Sequence, residues 1–334
     1  MLEWVSRKNR AVSESGGAGS GVRNGDMKDG ASPPEEPVEI QSERKTPIAL
    51  ALGGGAARGW THIGVLRALD EAGIEISMIA GTSIGALVGG CYLAGKLDEL
   101  EEFARGLTRR RMFNLLDITL RGSGLFGGMK LDGRLREHLE GVTFADLSKP
   151  FTAVCTELRT GHEIWLSNGS LVTAMRASYA LPGVFEPVRI GSRLLVDGAL
   201  VNPVPVSVCR ANEQPLVLAV NLHYDQFGRA AVVKHISQQQ EQLLNADMGR
   251  GGDARMGRET RIGITGVMME AFNIIQDRIS RARMAGDPPD ISLLPTVGHI
   301  GLTEFHRADE AIAMGYRETM KHLNDIKRLQ KVLV

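Results

Sequence analysis

Residues 76–95 read ISMIAGTSIGALVGGCYLAG, and the way this stretch folds decides the class of the whole chain. An apolar run enters the pentapeptide Gly81-Thr82-Ser83-Ile84-Gly85, and a run of small residues leaves it. One reading is a membrane helix. No charged residue lies between Ile79 and Gly95, and Gly81, Gly85 and Gly89 fall at the spacing of a helix-dimer face. That run is at the short limit for a span, is rich in Gly, Ala, Ser and Thr, and has no second segment like it. Another reading is a plain helix start, with Thr82 or Ser83 capping free N–H groups.

A third reading accounts for more of the pattern. A serine nucleophile projects from a tight strand-to-helix turn in strained backbone, and its flanks must be tiny so that neighbouring chain can pass. Gly81 and Gly85 supply that clearance. The dipole of the following helix favours negative charge developing at the hydroxyl.

Working outward, Ile48–Leu52 is a short apolar run stopped by the glycine cluster GGGAARG at 53–59. Such a run suits a buried parallel strand. Ile63, Leu66 and Leu69 then recur at helical spacing up to Gly73, a C-cap residue. Strand, helix, strand and helix with short connections predict an α/β fold, a mostly parallel sheet covered on both faces. Further strands are expected in FTAVCTEL, EIWLS, RLLVDGAL, PLVLAVNL and ISLLPTV, and long helices over about 264–284 and from 305 onward. Residues 1–45 lack apolar periodicity and read as a disordered tail, leaving one domain over 46–325 with a mobile loop at 246–262.

Composition narrows the function classes. The chain has 334 residues, and Lys plus Arg and Asp plus Glu both total 39, so no global charge draws it to nucleic acid. Cys91, Cys155 and Cys209 are far apart and odd in number, which suits buried thiols in a reducing compartment. The N-terminus turns polar too soon for a signal-peptide core, so a cytoplasmic location is expected. No histidine pair has metal-ligand spacing with a nearby carboxylate, so neither a metal nor a cofactor is expected.

The glycine loop lacks the Gly-Lys-Ser/Thr ending of a P-loop. It also has Arg58 where a dinucleotide fingerprint needs its third glycine. Between a strand and a helix it can instead aim successive N–H groups at an oxyanion, from Gly54 and Gly55 with Ala56 as a third donor. A purely structural glycine turn is the alternative.

For the base, two designs compete. Ser83, Asp197 and His299 follow the chain order of an α/β-hydrolase triad. Alternatively Asp197, ending the apolar strand of LLVDGAL, bonds the serine directly as a Ser–Asp dyad, provided partial burial raises its pKa. Asp197-Gly198 also reads as a simple turn, His299 as a loop histidine near a helix start, and His62 as a packing or capping group.

These pieces together resemble the patatin-like phospholipases, in particular short bacterial members of the branch related to neuropathy target esterase. The glycine loop stands as Gly53-Gly54-Gly55-Ala56-Ala57-Arg58-Gly59, the nucleophile motif as Gly81-Thr82-Ser83-Ile84-Gly85, and the aspartate motif as Asp197-Gly198-Ala199. RASYALPGVFEPV at 176–188 matches the stretch that precedes that aspartate in the family. The resemblance covers roughly 47–221. It implies a patatin-like three-layer fold and calcium-independent hydrolysis of phospholipid, lysophospholipid or other acyl esters. Ser83 is the implied nucleophile, Asp197 the base and 53–59 the oxyanion loop.

Two stretches are candidates for meeting lipid, peripherally at the inner membrane surface. Arg109–Arg111 adjoin Met112, Phe113, Leu115, Leu116, Leu125 and Phe126, a pattern that suits either an anionic lipid surface or a packed helix with a solvated basic end. Met268, Met269, Phe272 and Ile275 form a helical apolar stripe, for which core packing is expected.

Overall fold

Every residue of the first strand, β1 (Ile48–Leu52), is buried, and its alternate side chains feed two different cores. Ile48, Leu50 and Leu52 enter the larger one, and Ala49 and Ala51 enter a second one with Val204, Val206, Val208 and Cys209. That division follows from the two-residue period of a strand, and it needs helices on both faces. The computed structural model describes residues 45–108, 117–118, 126–127, 129–225 and 264–332.

Nine further strands follow: β2 (Ile76–Thr82), β3 (Asp117–Ile118), β4 (Phe126–Gly127), β5 (Phe151–Glu157), β6 (Glu163–Leu166), β7 (Val188–Ile190), β8 (Arg193–Asp197), β9 (Val217–Val220) and β10 (Ile291–Leu293). The helices are α1 (Thr61–Glu71), α2 (Ile84–Leu93), α3 (Leu97–Arg105), α4 (Met129–Leu139), α5 (Leu171–Ser178), α6 (Val206–Ala211), α7 (Ile264–Gly286) and α8 (Ala308–Val332). The main sheet runs β10-β9-β1-β2-β5-β8-β7, with β6 also pairing β5. Its first five strands are parallel, whereas β6 and β8 run antiparallel to β5. The expected α/β class, mostly parallel with helices on both faces, is what the chain adopts. The sequence left α3, α4, α5, α6, β3, β4 and β7 unassigned.

The edge that β5 offers is the feature that matters for the site. β6 pairs with residues 153–156 of β5, so β2 (on 151–154) and β8 (on 155–157) must both use the opposite edge. They lie end to end there, β2 running up to Thr82↔Val154 and β8 to Cys155↔Asp197. Two strand ends with opposite directions therefore converge on neighbouring residues of a third strand.

α8 crosses α1 closely because glycines remove the side chains between them. A Cβ on Gly64 would collide with the Ile312 carbonyl, and one on Gly315 with the Thr61 carbonyl. The far end of α8 clasps the start of the first strand. Thr46 N–H donates to Gln330 O at 3.0 Å, and Gln330 Nε2 returns a bond to Thr46 O at 2.9 Å. Residues past 325 thus pack with the folded unit at least as far as Gln330, beyond the boundary expected at 325.

The stripe on α7 is a second correction. Met268 and Ile275 are exposed, with Met269 and Phe272 partly so, while Asn273, Gln276, Asp277 and Ser280 are buried. The helix turns its polar side inward, so the apolar period does not mark a core face.

Among the described residues no helix is long and apolar enough to cross a membrane, and α2 ends at Leu93. Cys91, Cys155 and Cys209 are buried free thiols. The side chains of the 109–126 stretch, the loop at 246–262 and all but the last residue of the 1–45 tail lie outside the described residues.

Candidate active site

Ser83 sits between β2 and α2 with φ +56°, in backbone that L-residues rarely adopt. The turn is tight enough that neighbouring positions must be glycine. A Cβ on Gly81 would come within 2.6 Å of Ala86 N, and one on Gly85 would collide with the Leu52 carbonyl. Gly59 opens the same space from the other side, since a Cβ there would run into Ile84. The backbone of the serine is anchored from both directions. Its N–H donates to Ser178 Oγ at 2.9 Å, and its carbonyl accepts from Ala86 and Leu87 N–H at the start of α2.

Ser83 Oγ donates to Asp197 Oδ2 at 2.6 Å. Every polar atom of Asp197 is engaged. Oδ1 accepts from Ala199 N–H at 2.8 Å, the carbonyl accepts from Thr156 Oγ1 at 2.8 Å, and the N–H donates to Ala180 O at 3.0 Å. Burial pushes the carboxyl up to about 6, against the pull of its bonds from Ser83 and Ala199. A Cβ on Gly198 would collide with the Val154 carbonyl, so that glycine lets the aspartate turn press against β5.

The glycine loop lies directly against this pair. A Cβ on Gly54 would come within 3.3 Å of the Ala199 methyl and 3.5 Å of Ser83 Cβ, so all three motifs share one spot. Gly53 N–H donates to Val220 O at 3.1 Å and Gly54 N–H to Pro203 O at 2.9 Å. Gly54 therefore cannot serve as the expected oxyanion donor, because its hydrogen already holds the loop on the Pro203 strap. The N–H groups of Gly55 and Ala56 have no partner among the described residues, and Ala56 holds a φ of +49°. Two adjacent free amides in the loop that adjoins Ser83 are the kind of donors that can hold an anion.

Other expected residues hold the loop in place. Arg58 is buried, and its Nε donates to Ile300 O at 2.7 Å while Ala57 N–H donates to Leu302 O at 3.1 Å. Burial lowers the Arg58 pKa, opposed by Asp225 and Glu270. His62, fully buried, donates Nε2–H to Gly53 O at 2.7 Å, and burial lowers it to about 4. It is neutral and faces the loop, not the serine hydroxyl. His299 is on the surface, with Nε2 2.8 Å from Glu310 Oε1, so the structure does not bring it to Asp197. Thr82 caps the arrangement by donating to Asn202 O at 2.9 Å.

Sequence reasoning missed Ser178 and Thr156. Ser178 Oγ donates a hydrogen bond to Val154 O at 2.6 Å while accepting one from Ser83 N–H. It lies inside the quoted RASYALPG stretch, but a lone serine there carries no signal of its partner 95 residues away. No three His, Cys, Asp or Glu side chains gather in a metal-holding group among the described residues.

The family model of patatin-like phospholipase matches residues 50–210, a span that holds all three motifs. An uncharacterized NTE family protein of Mycobacterium tuberculosis is 31% identical over 329 residues, covering 83% of this chain and 91% of that one. The chain belongs to the patatin-like phospholipase family. Its likeness extends to patatin-like phospholipase domain-containing protein 6 of Homo sapiens, 32% identical over 52% of this chain but only 13% of that much longer protein. Among solved structures, VipD from Legionella pneumophila aligns over 84% of this chain and 67% of its own with 14% identity and a TM-score of 0.44. Within this patatin-like frame the glycine loop, the serine elbow and the aspartate turn are supplied by β1, β2 and β8, the strands whose ends meet at one place.

Proposed function

We propose that this patatin-like protein is a serine lipid acyl hydrolase of the phospholipase A or lysophospholipase type. The observation that carries the reading is the direct 2.6 Å bond from Ser83 Oγ to the buried Asp197 carboxylate, with no imidazole between them. A carboxylate at its ordinary pKa is a poor base, and burial moves this one toward neutrality, where it can accept a proton. Ser83 Oγ attacks the acyl carbonyl while its proton passes to Asp197 Oδ2, and the Gly55 and Ala56 amides hold the oxyanion. The proton then goes to the departing alkoxide, which leaves an acyl ester on Ser83. Water, deprotonated by Asp197, hydrolyses that ester and restores the serine. A weak base suits esters better than amides, since an alkoxide leaves with less assistance. The family name of the relatives agrees with lipid as the substrate class.

A fluorophosphonate probe should label the wild type at Ser83, and Ser83→Ala should abolish labelling. A wild-type protein that resists the probe and releases no fatty acid from lysophospholipid, phospholipid or p-nitrophenyl esters would overturn the reading.

A further inference from the structure

α7 is an amphipathic helix built inside out. Val267, Met268, Ile274 and Ile275 are 55%, 61%, 44% and 48% exposed, while Asn273, Gln276, Asp277 and Ser280 are buried. At 3.6 residues per turn the four exposed aliphatic positions, with Ala271 and Arg278, fall within about 120° of arc. The buried polar residues occupy the opposite arc. Water as the only neighbour would favour the reverse orientation, with the aliphatic stripe turned to the core. Asn273, Asp277 and Ser280 find partners along the helix itself. Asp277 accepts from Arg281 Nε at 2.8 Å, and Asn273 donates to Glu270 at 3.2 Å.

The helix is also placed at the candidate site. It packs against Gly198–Leu200, the turn that directly follows Asp197, and its Glu270 lies close enough to act on Arg58 of the glycine loop. At its other end Arg283 Nη2 pairs with Glu163 at 2.8 Å, and Glu163 also accepts from the half-exposed Trp165. The helix thus reaches the dyad's surroundings through Glu270, an exposed residue that adjoins the aliphatic arc.

We propose that the outer face of α7 docks on a phospholipid bilayer and so sets the dyad at the lipid surface. This rests on the lipid-hydrolase reading above. Two observations favour lipid over a second protein. Four half-exposed aliphatic side chains offer roughly 350 Å², under half of the ~800 Å² per partner that a stable protein interface buries. The one cation on that arc, Arg278, has no ion pair among the described residues and can meet an anionic headgroup.

The test uses the full chain and two sets of vesicles, phosphatidylcholine alone and phosphatidylcholine mixed with phosphatidylglycerol. Wild type should sediment with vesicles, more strongly with the anionic set. Met268→Glu combined with Ile275→Glu should reduce the bound fraction about tenfold. It should lower phospholipid hydrolysis in vesicles in parallel, and leave hydrolysis of a soluble p-nitrophenyl ester within about twofold. Arg278→Ser should weaken binding to the anionic vesicles only. Because these positions are exposed, the variants should melt like wild type. Ser83→Ala should bind vesicles as wild type does, so loss of catalysis and loss of docking are read separately. A doubly substituted protein that still sediments fully would overturn the proposal. So would a wild type that binds neither vesicle set, or a wild-type dimer that the double substitution converts to a monomer.

Discussion

Thr82 and Asp197 end two strands that approach each other head-on along one edge of β5, Thr82 opposite Val154 and Asp197 opposite Cys155. That register places Ser83, the next residue after Thr82, against the Asp197 carboxylate at 2.6 Å. A slip of one residue in either pairing would turn the side chains to the other face of the sheet and part the dyad. The geometry of the site is thus a property of strand order, and its consequences can be measured.

Activity should depend on one ionisation of the free protein. Asp197 accepts a proton only when ionised, and burial lifts its pKa to about 6. The acid limb of kcat/KM should therefore have an apparent pKa near that value, with activity falling as pH drops through it. A pH profile on a neutral ester reads this directly. A limb near the ordinary carboxylate value would show that Asp197 is solvated in the working protein.

The same shift has a stability counterpart with a definite sign. A carboxyl raised on folding binds its proton more tightly in the native state. The stability it contributes is complete below the unfolded value of 3.8 and is lost as pH rises through about 6. Above that, an ionised Asp197 costs about 3 kcal/mol. The melting temperature of Asp197→Asn minus that of wild type should grow between about pH 4 and pH 7 while activity is abolished. A difference independent of pH would remove the buried carboxylate as its cause.

His62 and His223 act in the opposite direction. Burial lowers both to about 4, so both are neutral in the fold and protonated more readily when unfolded. The stability tied to their neutral forms is present above the unfolded value of 6.5 and is lost as pH falls from there through about 4. His62→Gln, which can still donate to Gly53 O, should flatten that acid loss in urea titrations at successive pH values.

Two glycines should separate folding from function. Gly85→Ala drives a Cβ into the Leu52 carbonyl, and neither backbone can yield, so the variant should be insoluble or lose more than about 4 kcal/mol. Gly54→Ala meets the Ala199 methyl at 3.3 Å, Ser83 Cβ at 3.5 Å and Thr82 O at 3.9 Å, none of them a clash. It should fold within about 1.5 kcal/mol of wild type yet lose at least about tenfold in kcat/KM, since the methyl occupies the space above the serine. Denaturant melts beside ester kinetics give both numbers.

Ser178→Ala removes the acceptor for Ser83 N–H inside the core. An orphaned buried donor costs about 1–3 kcal/mol, and the elbow should loosen, lowering kcat more than it changes KM. Ser178→Thr, which keeps the hydroxyl, should restore part of the rate.

How much of this was legible in the sequence differs from residue to residue. Gly81, Ser83 and Gly85 were readable because a sharp turn demands small residues at fixed local offsets. The buried strands β1 and β2 were readable because an unbroken apolar run stopped by glycine has few other meanings. The loop donors were only half readable. The Gly-Gly-Gly run marks a site for free amides, but which amides stay free depends on Pro203 and Val220, far along the chain, taking those of Gly54 and Gly53. α7 shows the opposite failure. Its apolar period is plain in the residues, but periodicity gives the width of a stripe and not the side on which the core lies.

By itself the sequence determined the local pieces: a serine on a tight turn, a glycine-rich loop, an aspartate closing a strand, and the alternation that makes a parallel sheet. Which side chain stands beside Ser83 was left to the tertiary structure, because Asp197 and His299 both satisfy chain order. Only the pairing of β2 and β8 on a shared edge of β5 places Asp197, and not an imidazole, within bonding distance of the hydroxyl. Offsets of a few residues are governed by backbone sterics that each residue type carries with it. A contact across 114 residues is governed by how whole strands share edges, and no single residue encodes that.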